Sequence, residues 1–143
     1  MKTCLFLCTG NYYRSRFAEE YFNHLTTAAG NEWQAISRGL ARDMNKTRNP
    51  GPISKHTLSA LELRGAKAKN AHCFPKSVGV DDFKKADRVI AICKREHQPM
   101  IEQRFSEFST AVEYWDIEDI AFTNPEEAIP AIEAKVNEMT GKN

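Results

Sequence analysis

From Thr3 to Leu7 the chain is apolar with almost no polar interruption, the pattern of a strand covered on both faces. Past Cys8-Thr9-Gly10-Asn11, the residues Phe17, Ala18, Tyr21, Phe22 and Leu25 recur at helical spacing, with Glu19, Glu20 and His24 on the other side. Trp33 to Ile36 predicts a second strand. A long polar loop follows through Arg38, Arg42, Lys46, Arg48 and Pro50, expected to be exposed and to border a site. Ser54 to Arg64 predicts a helix that turns Leu58, Leu61 and Leu63 partly to one side, and Gly65 is placed to end it. A short helix around Asp82 to Ala86, a third strand over Arg88 to Ile92, a helix over Lys94 to Phe105 and a fourth strand over Ala111 to Trp115 complete the middle. Asn124-Pro125-Glu126-Glu127 supplies a cap, a first-turn proline and acidic residues for a last helix, while Pro130 either bends that helix or marks its regular start.

Strands that alternate with helices predict an α/β protein, an open four-stranded parallel sheet with helices on both faces. In such sheets ligands sit beyond the strand C-terminal ends, and Cys8 stands at one of them. At 143 residues the chain fits a single domain, 1–143, without internal repeat or linker. Its 20 basic and 19 acidic residues nearly cancel, which gives no reason to expect nucleic acid or a membrane surface as partner. No segment reaches the ~18 apolar residues of a membrane span, and the N-terminus lacks a secretory h-region. The expectation is a cytoplasmic monomer whose four cysteines stay reduced.

Candidate chemistry concentrates in Cys8-Thr9-Gly10-Asn11-Tyr12-Tyr13-Arg14-Ser15. A buried strand delivers the cysteine, Gly10 and Asn11 tolerate the positive φ of a tight loop, and a helix begins after Arg14. The amides of Thr9 through Ser15, together with the positive helix end, would make a concave phosphate-binding loop. Arg14 would add a bidentate fork to two phosphate oxygens. The same groups favour a thiolate at Cys8, a nucleophile under the phosphorus, and Ser15 can donate a hydrogen bond to it. The competing reading makes Cys8 a packed core thiol and Arg14 a surface charge.

The stretch from Leu5 to Glu19 resembles the N-terminal signature of the low-molecular-weight protein tyrosine phosphatases. Ser37-Arg38-Gly39-Leu40, Asn49-Pro50-Gly51-Pro52 and Ala86-Asp87-Arg88-Val89-Ile90 are similar to weaker landmarks of that family. The resemblance implies Cys8 as nucleophile, Arg14 as phosphate ligand, Asn11 and Ser15 as residues that shape the loop and orient the thiolate, and His72 as the brace of Asn11. Ile117-Glu118-Asp119-Ile120-Ala121-Phe122 is similar to the segment that carries the family's acid, which makes Asp119 the general acid and later base, with Asp116 and Glu118 as rivals. No metal or other cofactor is implied. The substrate would be a phosphotyrosine-containing protein or a small aryl phosphate, its ring walled by Tyr12, Trp115 and Phe122. Three features depart from the family: Tyr13 stands where many members carry a second cysteine, Ile120 where the acid is followed by proline, and Arg42-Asp43-Met44-Asn45 where eukaryotic relatives often show an aromatic that flanks the substrate ring.

Two alternatives remain at this level. Arsenate reductases of the same fold relay oxidation through a cysteine at the place of Cys93, but need a further one where this chain has Met100. A phosphoprotein-binding module would keep the anion loop without turnover. Cys93-x3-His97 would be half a metal site, with no second pair at suitable spacing; His24, His56 and His97 are read as solvated or structural.

Overall fold

The computed structural model describes residues 1–142. Its centre is a four-stranded, all-parallel sheet of β1 (Lys2–Cys8), β2 (Trp33–Gly39), β3 (Arg88–Ala91) and β4 (Glu113–Tyr114), in the order β2-β1-β3-β4. Five helices accompany it: α1 (Arg14–Ala28), α2 (Lys55–Leu63), α3 (Val80–Lys85), α4 (Lys94–Arg104) and α5 (Pro125–Thr140). Side chains of β1 alternate between two cores. Cys4, Phe6 and Cys8 join Phe17 and Tyr21 of α1, Leu61 of α2 and Ile132 and Val136 of α5. Leu5 and Leu7 join Phe83 of α3 and Ile101 of α4. A strand with helices on both faces has no polar side to show, which is why its sequence reads as an unbroken apolar run. Among the described residues no helix is long and apolar enough to cross a membrane.

The expected elements are present with shifted limits. β2 runs on to Gly39, so Arg38 belongs to the strand rather than to the loop. The fourth strand, expected over Ala111 to Trp115, shrinks to two residues, and Ala111 instead closes a 3₁₀ turn that begins at Ser106. Ser54 caps α2 by accepting from the His56 amide, and Gly65 ends the helix at φ +66°. Leu61 is buried as expected, but Leu63 is 84% exposed and Leu58 also faces outward; Thr57 and Ala60 take the inward positions instead. α5 starts at Pro125, capped by Asn124, and continues through Pro130, so the alternative start at Pro130 does not hold.

Two side chains of α1 tie the connections to this framework. Arg16, buried, donates to the carbonyls of Pro52, Cys73 and Asn70. Glu20, also buried, accepts the amides of Lys69 and Asn70.

Candidate active site

The loop between β1 and α1 is anchored by main-chain bonds on its outer side. The carbonyls of Cys8 and Thr9 accept the amides of Leu40 and Ala41, and the Tyr12 carbonyl accepts that of Ser54. Its own amides are left over: those of Gly10, Asn11, Tyr12 and Tyr13 have no hydrogen-bond partner among the described residues. Tyr13, at the N-cap of α1, supplies no side-chain cap to the first helical turn. Unpartnered amides beside a helix N-terminus suit an anion. Asn11 alone in the loop takes a positive φ, 49°; Gly10, expected to share that role, does not. What Gly10 provides is close approach, since a Cβ there would lie 3.1 Å from Nδ2 of Asn49.

The left-handed turn at Asn11 is held by its side chain. Nδ2 donates to Ser15 Oγ (3.0 Å) and to Ser37 Oγ (2.9 Å), while Oδ1 accepts the Lys76 amide (3.0 Å). Ser37 donates onward to Glu19, whose other oxygen accepts from Asn70 (2.9 Å). Both ends of the Asn11 amide are therefore used, and His72 is not among the partners. It sits exposed, near the Cys73 sulfur (3.6 Å). The bracing expected of His72 is performed by Ser37 and the Lys76 amide, and the link from its loop comes through Asn70.

Cys8 Sγ lies 3.0 Å from Ser15 Oγ. Since the serine oxygen already accepts from Asn11, its hydrogen is free to turn toward an ionised sulfur. Cys8 is 3% exposed, yet it forms part of the wall of a cleft of about 160 Å³, together with Gly10, Tyr12, Arg14, Asp119 and Ile120. Tyr13, Asn49, Ser54 and His56 complete that wall. Tyr12 is fixed by its hydroxyl, which donates to the Pro50 carbonyl (2.6 Å). The other two aromatics expected at the rim are elsewhere. Trp115 is core, 8% exposed and packed on Phe6 at 5.9 Å between ring centroids. Phe122 is 71% exposed, outside the cleft, under the Arg95 guanidinium. A tyrosine in the place of the familiar second cysteine adds to the buried floor: the Tyr13 ring meets His56 edge-on, and burial pushes its phenol up to about 12.

Arg14 is almost fully buried. Nη1 donates to the Ile117 carbonyl (3.0 Å), Nη2 to Glu96 (2.9 Å), and Nε is 3.8 Å from Asp119 Oδ1. Burial opposes its charge, but Cys8, Glu96 and Asp119 more than offset that and raise its pKa above the ordinary value. Asp119, 44% exposed, also accepts its neighbour Ile120's amide (2.9 Å). A proline could not make that bond, so Ile120 gives this loop a tether that the family's usual residue cannot supply.

Sequence reasoning did not single out Glu96. Its Oε2 receives Arg14, Nε2 of His97 (3.1 Å) and the Thr9 hydroxyl, and these donors, set against the cost of burial, hold the carboxyl well below the usual range. Thr9 therefore turns its side chain toward α4. The only sequence signal was position, five residues past the end of β3, which is not distinctive. Cys93, Glu96 and Glu118 place ligand atoms within 4.8 Å of one another. Both carboxylates are already engaged, Glu118 by a two-pronged pair with Arg95 (2.8 and 2.6 Å). The Cys93 thiol is buried and its pKa raised by that burial.

A comparison with curated proteins gives no match. Among solved structures, the low molecular weight protein tyrosine phosphatase from T. tengcongensis superimposes with a TM-score of 0.76 at 24% identity, covering 99% of this chain and 96% of the other. A low molecular weight protein tyrosine phosphatase from Streptococcus pyogenes gives 0.81 at 20%, covering 99% and 92%. The YwlE arginine phosphatase from Geobacillus stearothermophilus gives 0.70 at 22%, covering 99% and 89%. These likenesses establish the fold. The family model described as low molecular weight phosphotyrosine protein phosphatase matches residues 3–141, nearly the whole chain, and the protein belongs to that family.

Proposed function

We propose that the protein is a phosphomonoester hydrolase acting through a phosphocysteine at Cys8. The observation that carries this reading is the Cys8 sulfur at the wall of the cleft, 3.0 Å from a serine hydroxyl and beside four unpartnered loop amides. In the first step a bond forms from Sγ to phosphorus as the bond to the leaving oxygen breaks, and Asp119 gives that oxygen its proton. Water then attacks phosphorus, Asp119 takes up the water's proton, and the sulfur departs as thiolate. Arg14 and the amides of Thr9 through Ser15 carry the negative charge of the phosphoryl oxygens throughout. No step calls on a metal.

The preferred substrate is a phosphotyrosine-containing protein or a small aryl phosphate, met by a cytoplasmic monomer. Phosphoarginine is the second substrate class. One structural neighbour is an arginine phosphatase, and only Tyr12 of the three expected aromatic walls lines the cleft. Arsenate reduction is not favoured: Met100, whose sulfur is 4.0 Å from the Thr9 hydroxyl, occupies the place where the relay needs a second thiol.

The deciding experiment compares hydrolysis of phosphotyrosine, phosphoserine and phosphoarginine, and thiol consumption with arsenate, by the wild type, Cys8→Ser and Arg14→Ala. Phosphotyrosine turnover lost in both variants is expected. Turnover that persists in Cys8→Ser would remove the phosphocysteine.

A further inference from the structure

Glu96 is the third residue of α4, a place from which an acidic side chain ordinarily turns back to cap the helix's own first amides. Here His97 serves in its stead: the Cys93 amide donates to Nδ1 of the buried His97 ring (3.0 Å). With Nδ1 accepting, the neutral ring carries its proton on Nε2, which faces Glu96 (3.1 Å) and the Thr9 hydroxyl (3.2 Å). Burial keeps His97 neutral by lowering its pKa. Relieved of capping, the Glu96 carboxylate reaches the phosphate loop, where one oxygen binds Thr9, next to Cys8, and Arg14, near the end of the loop.

We propose that Glu96 is a positioning residue that sets the Arg14 guanidinium before substrate arrives and tempers its charge. The inference rests on the phosphatase reading of the same loop. An arginine has five N–H donors. Glu96 takes one and the Ile117 carbonyl another, and the remaining three stay available in a fixed plane. Fixing the plane matters because misplacing a catalytic group by about 1 Å costs up to ~10²-fold in rate. Tempering the charge matters because a bare, buried guanidinium would hold the substrate and product dianions as firmly as the phosphoryl group in transit. Uniform binding of that kind does not raise kcat.

Three variants separate this role from that of a mere internal ion pair. Glu96→Gln keeps an acceptor oxygen and removes the charge; Glu96→Asp keeps the charge and shortens the reach; Glu96→Ala removes both. For Glu96→Ala, kcat is expected to fall by up to ~10²-fold, with Glu96→Asp recovering part of it. For Glu96→Gln, kcat falls while inorganic phosphate inhibits about tenfold more tightly, since one negative charge beside the guanidinium is gone. Parallel loss of kcat and of phosphate affinity in Glu96→Gln, or wild-type kinetics in Glu96→Ala, would overturn the inference. Absence of turnover in the wild type would instead overturn the phosphatase reading. Calorimetric titration with inorganic phosphate then decides alone: tighter binding to Glu96→Gln than to wild type supports the tempering role, and equal or weaker binding ends it.

Discussion

Cys8 Sγ and Ser15 Oγ stand 3.0 Å apart across the mouth of α1, and the serine oxygen is held in place by Asn11. A hydroxyl fixed in this way stabilises the sulfur most when the sulfur is ionised, as the proposed nucleophile of the first step and the proposed leaving group of the second. A hydrogen bond to a charged group contributes about 1.5–3 kcal/mol. Ser15→Ala should accordingly lower kcat/KM for an aryl phosphate by roughly tenfold to a hundredfold, with thermal stability changed far less. Steady-state kinetics beside a melting curve checks this, and an unchanged kcat/KM would remove Ser15 from the mechanism.

Asn11 combines a strained backbone with three side-chain hydrogen bonds, and two substitutions tell them apart. Asn11→Gly restores conformational freedom but loses the bonds to Ser15, Ser37 and Lys76. Asn11→Ala loses those bonds and also meets the left-handed penalty of roughly 1–2 kcal/mol. Both should destabilise the fold, Asn11→Ala more, by about that difference in urea unfolding. Equal losses would mean that the turn at φ 49° carries no strain.

The proposed acid is tested through the leaving group. Asp119→Ala should lose about 10²-fold or more with phosphotyrosine, whose oxygen needs a proton as it departs, and much less with p-nitrophenyl phosphate. The same factor for both substrates would transfer the role to Asp116 or Glu118.

Acid stability should fall in two stages. The His97 pKa is lowered by burial, so its contribution is complete above the unfolded value of about 6.5 and is lost as pH drops below it, where the unfolded chain takes up the proton first. Glu96 is also lowered. Its contribution is complete above the unfolded value of about 4.3 and is lost as pH falls further. Unfolding free energy measured from pH 8 to 3 should decline below each value, and Glu96→Gln should flatten the lower stage. A Glu96→Gln profile parallel to the wild type below pH 4 would contradict this.

Trp115 and Phe122 should separate cleanly from the substrate. Trp115→Ala should cost about 3–5 kcal/mol of stability, as expected for a buried aromatic, whereas Phe122→Ala should leave kcat/KM for phosphotyrosine within about twofold. A large rise in KM for Phe122→Ala would restore the exposed ring to the substrate rim.

The parts of the fold that were legible in the sequence are those in which one short segment contains its own cause. The unbroken apolar run of β1, the cap and glycine stop of α2 and the strand, loop and helix from Thr3 to Leu25 needed no distant partner to be read. β4 was overextended at its start, where Ala111 closes a 3₁₀ turn begun at Ser106. The Asn11 relay gathers Glu19, Ser37, Asn70 and Lys76 from separate elements, and Glu96 becomes available only because His97 takes the Cys93 amide. Such bonds depend on spatial neighbours, and hydrophobic period does not report them. Trp115 was misplaced for the same reason: an aromatic next to the acid-bearing loop reads as a wall until the core behind β3 and β4 claims it.

A single guanidinium, that of Arg16, closes two separate connections through three carbonyls, Pro52 in one and Asn70 and Cys73 in the other. Neither can peel away alone without taking acceptors from a buried cation, so residues 50–54 and 68–75 are expected to open as one cooperative unit. Their amide protons would then exchange with solvent at a common free energy, although the two segments are distant in sequence.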